Sequence, residues 1–159
     1  MAARQDFGRL LKVQVDGAMP YEWSIGKYGS QFFKELREHG RFAGIRCPEC
    51  ERVYVPPRRV CGPCFRELDE LVELPTTGTI TAFSVVNYPF IDPATGNQRP
   101  IPYTYGYIRI DGSDCIFSHV ISETDISKIE VGKRVRAVLK APNEMQGNVQ
   151  DILFFELVG

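Results

Sequence analysis

Residues 44–64 read Gly44-Ile-Arg-Cys-Pro-Glu-Cys-Glu-Arg-Val-Tyr-Val-Pro-Pro-Arg-Arg-Val-Cys-Gly-Pro-Cys64 and hold four of the five cysteines in the chain. These form two Cys-x-x-Cys pairs, Cys47/Cys50 and Cys61/Cys64, with ten residues between them. A Cys-x-x-Cys turn can aim both sulfurs at one ion. Two such turns on adjacent hairpins complete a tetrahedron of four thiolates, the set that structural zinc prefers. The spacer is shorter than the common finger pattern but long enough for a hairpin, with Arg52–Val55 leading out and Pro56-Pro57 turning the chain back. Zinc is the expected occupant of Cys47, Cys50, Cys61 and Cys64. Iron is the second choice, because a tetrahedral sulfur set suits it too. Cys61-Gly-Pro-Cys64 also matches a thioredoxin-type redox tetrapeptide. That motif belongs to a fold of alternating strands and helices, whereas the chain downstream of Cys64 reads as strands.

Six arginines, Arg41, Arg46, Arg52, Arg58, Arg59 and Arg66, crowd this stretch against Glu49 and Glu51, so it stays positive even around four thiolates and a dication. Such a patch could cradle phosphates. Glu67, Asp69, Glu70 and Glu73 reverse the sign just beyond it. Upstream, Ser30 to His39 followed by Gly40 reads as a short amphipathic helix, with Ser30 as cap, Gly40 as stop and Phe32, Phe33 and Leu36 on one face. Before it, Leu11/Val13/Val15 and Tyr21/Trp23/Ile25 alternate like strands.

Downstream, five segments rich in β-branched and aromatic residues read as strands: 77–87, 103–111, 115–121, 133–140 and 148–158. Between the third and fourth, Thr124 to Glu130 suggests one or two helical turns. Five strands in that arrangement are the order of a small Greek-key barrel of the OB type. The expected fold is mainly β: an N-terminal arm and helix over 1–40, a zinc ribbon over 41–75 and a five-stranded OB-fold barrel over 76–159. Ribbon and barrel are each expected to close their own core.

The charge balance is even, with 19 Lys+Arg against 20 Asp+Glu among 159 residues. General binders of nucleic acid or membrane surface would carry a basic excess. No apolar run approaches a membrane span and no secretory signal opens the chain, so a reducing, cytoplasmic setting is expected and disulfides are not. No phosphate-loop, dinucleotide, nucleophile-elbow or zinc-protease motif is present. Cys115 and His119 share a strand face. At ~3.3 Å per residue they stand ~13 Å apart, too far to act as nucleophile and base. Cys115 reads as a core residue and His119 as a structural or interface one. Tyr103, Tyr105 and Tyr107 share the other notable stripe, which could stack bases or pack on a partner.

The Cys-Pro-Pro-Arg-Arg block, the helix ahead of it, and the segments Gly106-Tyr-Ile108, Asp111-Gly112 and Val131 to Val138 together resemble a prokaryotic family over residues 30–158. Its members join a rubredoxin-like zinc ribbon to an OB fold and serve as accessory subunits of thiolase-like enzymes acting on acyl-CoA thioesters. One branch serves a benzoylsuccinyl-CoA thiolase of anaerobic aromatic degradation. The resemblance implies a chain with no activity alone and a thiolase-fold catalytic partner, with acyl-CoA at the shared interface. It makes Arg46, Arg58 and Arg59 the candidates for holding CoA phosphates. The remaining alternative is a single-stranded nucleic-acid-binding module, since ribbons and OB folds are both common there. The apolar arm, residues 1–29, is expected to be buried either on its own barrel or on the partner, the partner being the favoured site because Trp and Tyr are common interface anchors.

Overall fold

The structure is a computed structural model in which residues 24–89, 91 and 96–159 are described. The strand-like alternation at Leu11 to Val15, and Tyr21 and Trp23, lie outside the described residues, as does the question of where the arm docks.

Helix α1 spans Gly26–His39 and so begins earlier than Ser30. Ser30 does not cap it: its hydroxyl donates to the Gly26 carbonyl at 2.7 Å, inside the helix. The start is marked by Gly26, whose N–H donates to Ser24 Oγ at 3.2 Å. The stop is as expected. Gly40 takes φ 63°, and its N–H closes on the Leu36 carbonyl at 3.0 Å. Phe32 and Leu36, one turn apart, are buried.

Strands β1 (Phe42–Arg46), β2 (Val53–Tyr54) and β3 (Glu70–Leu74) form an antiparallel sheet in the order β2-β1-β3. Strands β4 (Thr77–Val86), β5 (Tyr103–Ile110), β6 (Ile116–Ile121), β7 (Arg134–Leu139) and β8 (Ile152–Leu157) close a barrel in the order β4-β5-β6-β8-β7. All pairings are antiparallel except β6 with β8, which meet in parallel at Ile121 and Phe155. This is the expected OB order, first-second-third-fifth-fourth.

Two local expectations change. Thr124 to Glu130 makes a single turn, closed by Lys128 N–H on the Asp125 carbonyl at 3.0 Å. The Asp125 carboxylate takes the Ser127 N–H at 2.9 Å, a side-chain turn that competes with helix. The fifth strand is shorter than 148–158, because Val149–Asp151 forms a 3₁₀ turn. Asp151 Oδ2 there gathers the N–H groups of Gln146, Gly147 and Asn148 at 2.6–3.1 Å.

The main core is shared between helix, small sheet and barrel, which corrects the expectation of two self-contained units, and a second, smaller cluster of Ile45, Cys47, Tyr54, Cys61 and Leu68 lies under the cysteine turns. Phe42 of β1 stacks on Phe32 of α1 at 5.7 Å and on Phe117 of β6 at 5.6 Å, and Phe117 meets Phe155 of β8 at 6.2 Å. Both faces of β1 are buried, one against helix and barrel, so the small sheet cannot close on itself. Asp114, in the β5–β6 turn, reinforces the seam. Its Oδ2 accepts the Val53 N–H at 2.9 Å and its own N–H donates to the Val53 carbonyl at 2.9 Å.

Candidate metal centre

Each cysteine pair sits on the same local turn. Cys47 N–H donates to the Arg52 carbonyl at 2.9 Å and Glu51 N–H to the Cys47 carbonyl at 2.9 Å. The second turn repeats this pattern with Cys61 to Arg66 at 2.9 Å and Phe65 to Cys61 at 3.0 Å. The residue after each second cysteine must then turn left-handed: Glu51 has φ 58° and Phe65 has φ 55°. Glycine suits that position best; a side chain there costs roughly 1–2 kcal/mol.

The four sulfurs of Cys47, Cys50, Cys61 and Cys64 lie within 4.8 Å of one another. Cys47 and Cys61 are buried, Cys64 is half-buried and Cys50 is exposed. The thiols do not titrate alike. A hydrogen bond with Tyr54 leads the effects that draw Cys61 down to about 6. A hydrogen bond with Cys50 leads those that push Cys64 up to about 12. The Arg52 amide pulls Cys50 down, but burial with the Cys47 and Cys61 thiols outweighs it. Four thiols this close cannot all ionise unaided. A dication at their centre removes that conflict, so the donor set fits a tetrahedral thiolate-bound metal.

The three arginine candidates are each held within the chain. Arg46 pairs with Glu70 at 3.4 Å, and Arg59 pairs with Glu67 at 2.7 Å. Arg58 lies over the Tyr54 ring, 4.0 Å from its centroid, and its Nε donates to the Val60 carbonyl at 2.9 Å. The acidic run after the cysteines thus neutralises much of the basic patch instead of bounding it. Arg59 and Arg66 line one open depression with Val60, Phe65 and Glu67, and Arg46 and Arg58 are not part of that lining.

Cys115 is half-buried where the cysteine cluster meets the main core. His119 lies between Phe117 at 6.3 Å and Phe155 at 5.9 Å, and burial lowers its pKa. Tyr105 and Tyr107 are exposed on the outer barrel face, their rings edge to face at 6.5 Å. Sequence reading places Tyr54 only in the outgoing strand. The structure puts its hydroxyl 3.2 Å from Cys61 Sγ, which a phenol between the two cysteine pairs hints at but cannot establish.

A model described as ChsH2, rubredoxin-like zinc ribbon domain matches residues 34–70. One described as ChsH2, C-terminal OB-fold domain matches residues 71–140. A DUF35 domain-containing scaffold protein of Methanocaldococcus jannaschii is 25% identical over 113 residues, 70% of this chain and 77% of the relative. The chain belongs to this ChsH2-type DUF35 family. A second DUF35 scaffold relative, from Methanothermobacter thermautotrophicus, is 26% identical over 115 residues, 70% of this chain and 81% of its own length. Among solved structures, a chain of the Ltp2-ChsH2(DUF35) aldolase has the same fold, with a TM-score of 0.59 and 21% identity. That likeness covers 86% of this chain and 98% of the other. The DUF35 pattern of ribbon followed by OB barrel therefore accounts for the two sheets.

Proposed function

We propose that this DUF35 chain is a non-catalytic subunit of a thiolase-like enzyme complex acting on acyl-CoA thioesters. One structural zinc is held by Cys47, Cys50, Cys61 and Cys64, and the chain works in a reducing, cytoplasmic setting. The chain supplies docking surface and part of the CoA site, while nucleophile and base belong to the partner. The observation that carries this reading is the ribbon joined to an OB barrel in one core, in a family whose relatives are named scaffold proteins. The fold likeness to the DUF35 chain of an aldolase supports a catalytic partner. Arg46, Arg58 and Arg59 are the proposed contacts for CoA phosphates, with benzoylsuccinyl-CoA thiolysis the candidate reaction. When zinc is bound, it supplies charge neutralisation and rigidity to the two cysteine turns. The segment between those turns carries Arg58 and Arg59, and the second turn carries Arg66.

The exposed Tyr105 and Tyr107 favour a second reading, a platform for stacked bases. One experiment separates the two. The tagged chain is purified from its native host, and its complex is assayed for thiolysis and for binding of a single-stranded oligonucleotide. A stoichiometric thiolase-fold partner, with turnover in the complex and none in the chain alone, is expected. Tight, salt-dependent oligonucleotide binding without such a partner would establish the second reading instead.

A further inference from the structure

We propose that Tyr54 is a positioning residue of the metal centre, its hydroxyl donating a hydrogen bond to the Cys61 thiolate and fixing that sulfur as the anchored corner of the tetrahedron. This rests on the reading of the four cysteines as ligands of one metal.

Tyr54 Oη lies 3.2 Å from Cys61 Sγ. Tyr54 is 5% exposed and Cys61 is fully buried, so water does not compete for the contact. The direction of the bond follows from a second contact. Gly62 N–H donates to the same hydroxyl oxygen at 3.2 Å. An amide can only donate there, so the oxygen accepts from Gly62 and keeps its single proton for another partner. A metal-bound thiolate has no proton, and it is the acceptor within reach.

The phenol is also held in place. Val53, its neighbour on β2, exchanges two hydrogen bonds with Asp114 of the barrel. The Arg58 guanidinium covers the ring at 4.0 Å, and a Cβ at residue 62 would stand 2.8 Å from that guanidinium. Glycine at 62 therefore leaves room for both the amide contact and the cation over the ring. A cation on the π face draws electron density from the phenol and strengthens its O–H as a donor. Arg58, Tyr54 and Gly62 thus form one outer layer around Cys61, the kind of support that orients metal ligands. Cys50, exposed on the opposite turn, meets the Arg52 amide but no aromatic cover among the described residues.

The test compares the full-length protein with Tyr54→Phe, which removes one oxygen and keeps the ring. Both are loaded with cobalt(II) and, separately, with zinc. Loss of a hydrogen bond to a thiolate raises the energy of its lone pair, so the sulfur-to-cobalt charge-transfer band should move to lower energy. Zinc affinity in competition with a chelator should fall about 10- to 100-fold. Arg58→Met leaves the hydroxyl in place and should move the band the same way by less. It also serves as the readout if Tyr54→Phe does not fold. An unmoved band in the folded variant, with wild-type affinity, overturns this proposal alone. Wild-type protein that takes up less than about half an equivalent of metal overturns the metal reading and this proposal with it.

Discussion

At the scale of single residues, His119 carries the clearest pH dependence. Burial between Phe117 and Phe155 lowers its pKa, with the Arg99 charge adding in the same direction. The folded state therefore binds this proton less readily than the unfolded chain, whose histidine titrates near ~6.5. The contribution to stability is complete above that value and is lost as pH falls below it, toward the folded pKa. Denaturant midpoints should drop between pH 7 and pH 5, and His119→Phe should flatten that slope; an unchanged slope would place the titrating group elsewhere. Asp151 behaves in the same sense but in a more acid window. Burial would raise its carboxyl, but the Gln146, Asn148 and Gly147 amides and Lys140 outweigh it and hold it low. Its contribution is present above the ordinary carboxylate range and fails only in stronger acid.

At the scale of elements, the two cysteine turns are built alike but made from unequal residues. Both need a left-handed residue after the second cysteine, and neither has glycine there. Replacing Glu51 by glycine removes strain of roughly 1–2 kcal/mol while loosening the unfolded chain by somewhat less. Glu51→Gly should therefore match the wild type or exceed it by up to about 1 kcal/mol in thermal or denaturant unfolding. A clear loss would mean that the Glu51 side chain makes a contact its geometry does not suggest. These turns were legible in advance because Cys-x-x-Cys spacing dictates a local geometry. The start of α1 was not. Ser30 has the residue type of a cap, yet it lies inside the helix and bonds to Gly26. Cap preference is worth ~1 kcal/mol, less than the burial of Phe32 and Leu36 that sets where the helix must lie.

At the scale of the whole molecule, the shared aromatic core predicts that ribbon and barrel unfold together. Calorimetry of the metal-loaded protein should show one transition. Removing the metal with a strong chelator should lower that transition by roughly 20 °C or more, since a structural zinc contributes on the order of 10 kcal/mol in small domains. Two separate transitions, or a barrel indifferent to metal removal, would show that the Phe32–Phe42–Phe117–Phe155 contacts do not couple the units. The cysteine tetrad, the presence of five barrel strands, the Gly40 stop and the family resemblance were legible in residue order alone. All of these are written in short-range spacing or in the alternation of apolar residues, which act over a few positions of chain. That Phe42 belongs to the barrel core as well as the ribbon sheet emerges from packing and not from spacing. The same holds for Asp114 reaching back to Val53, for the pairing of Arg46 and Arg59 with Glu70 and Glu67, and for Tyr54 capping the Cys61 sulfur. The first two join residues brought together by closing the small sheet onto the barrel, and the others by strand and turn pairing within the ribbon. Residue type states what a side chain can bond to, but the packing of one element on another selects the partner it meets.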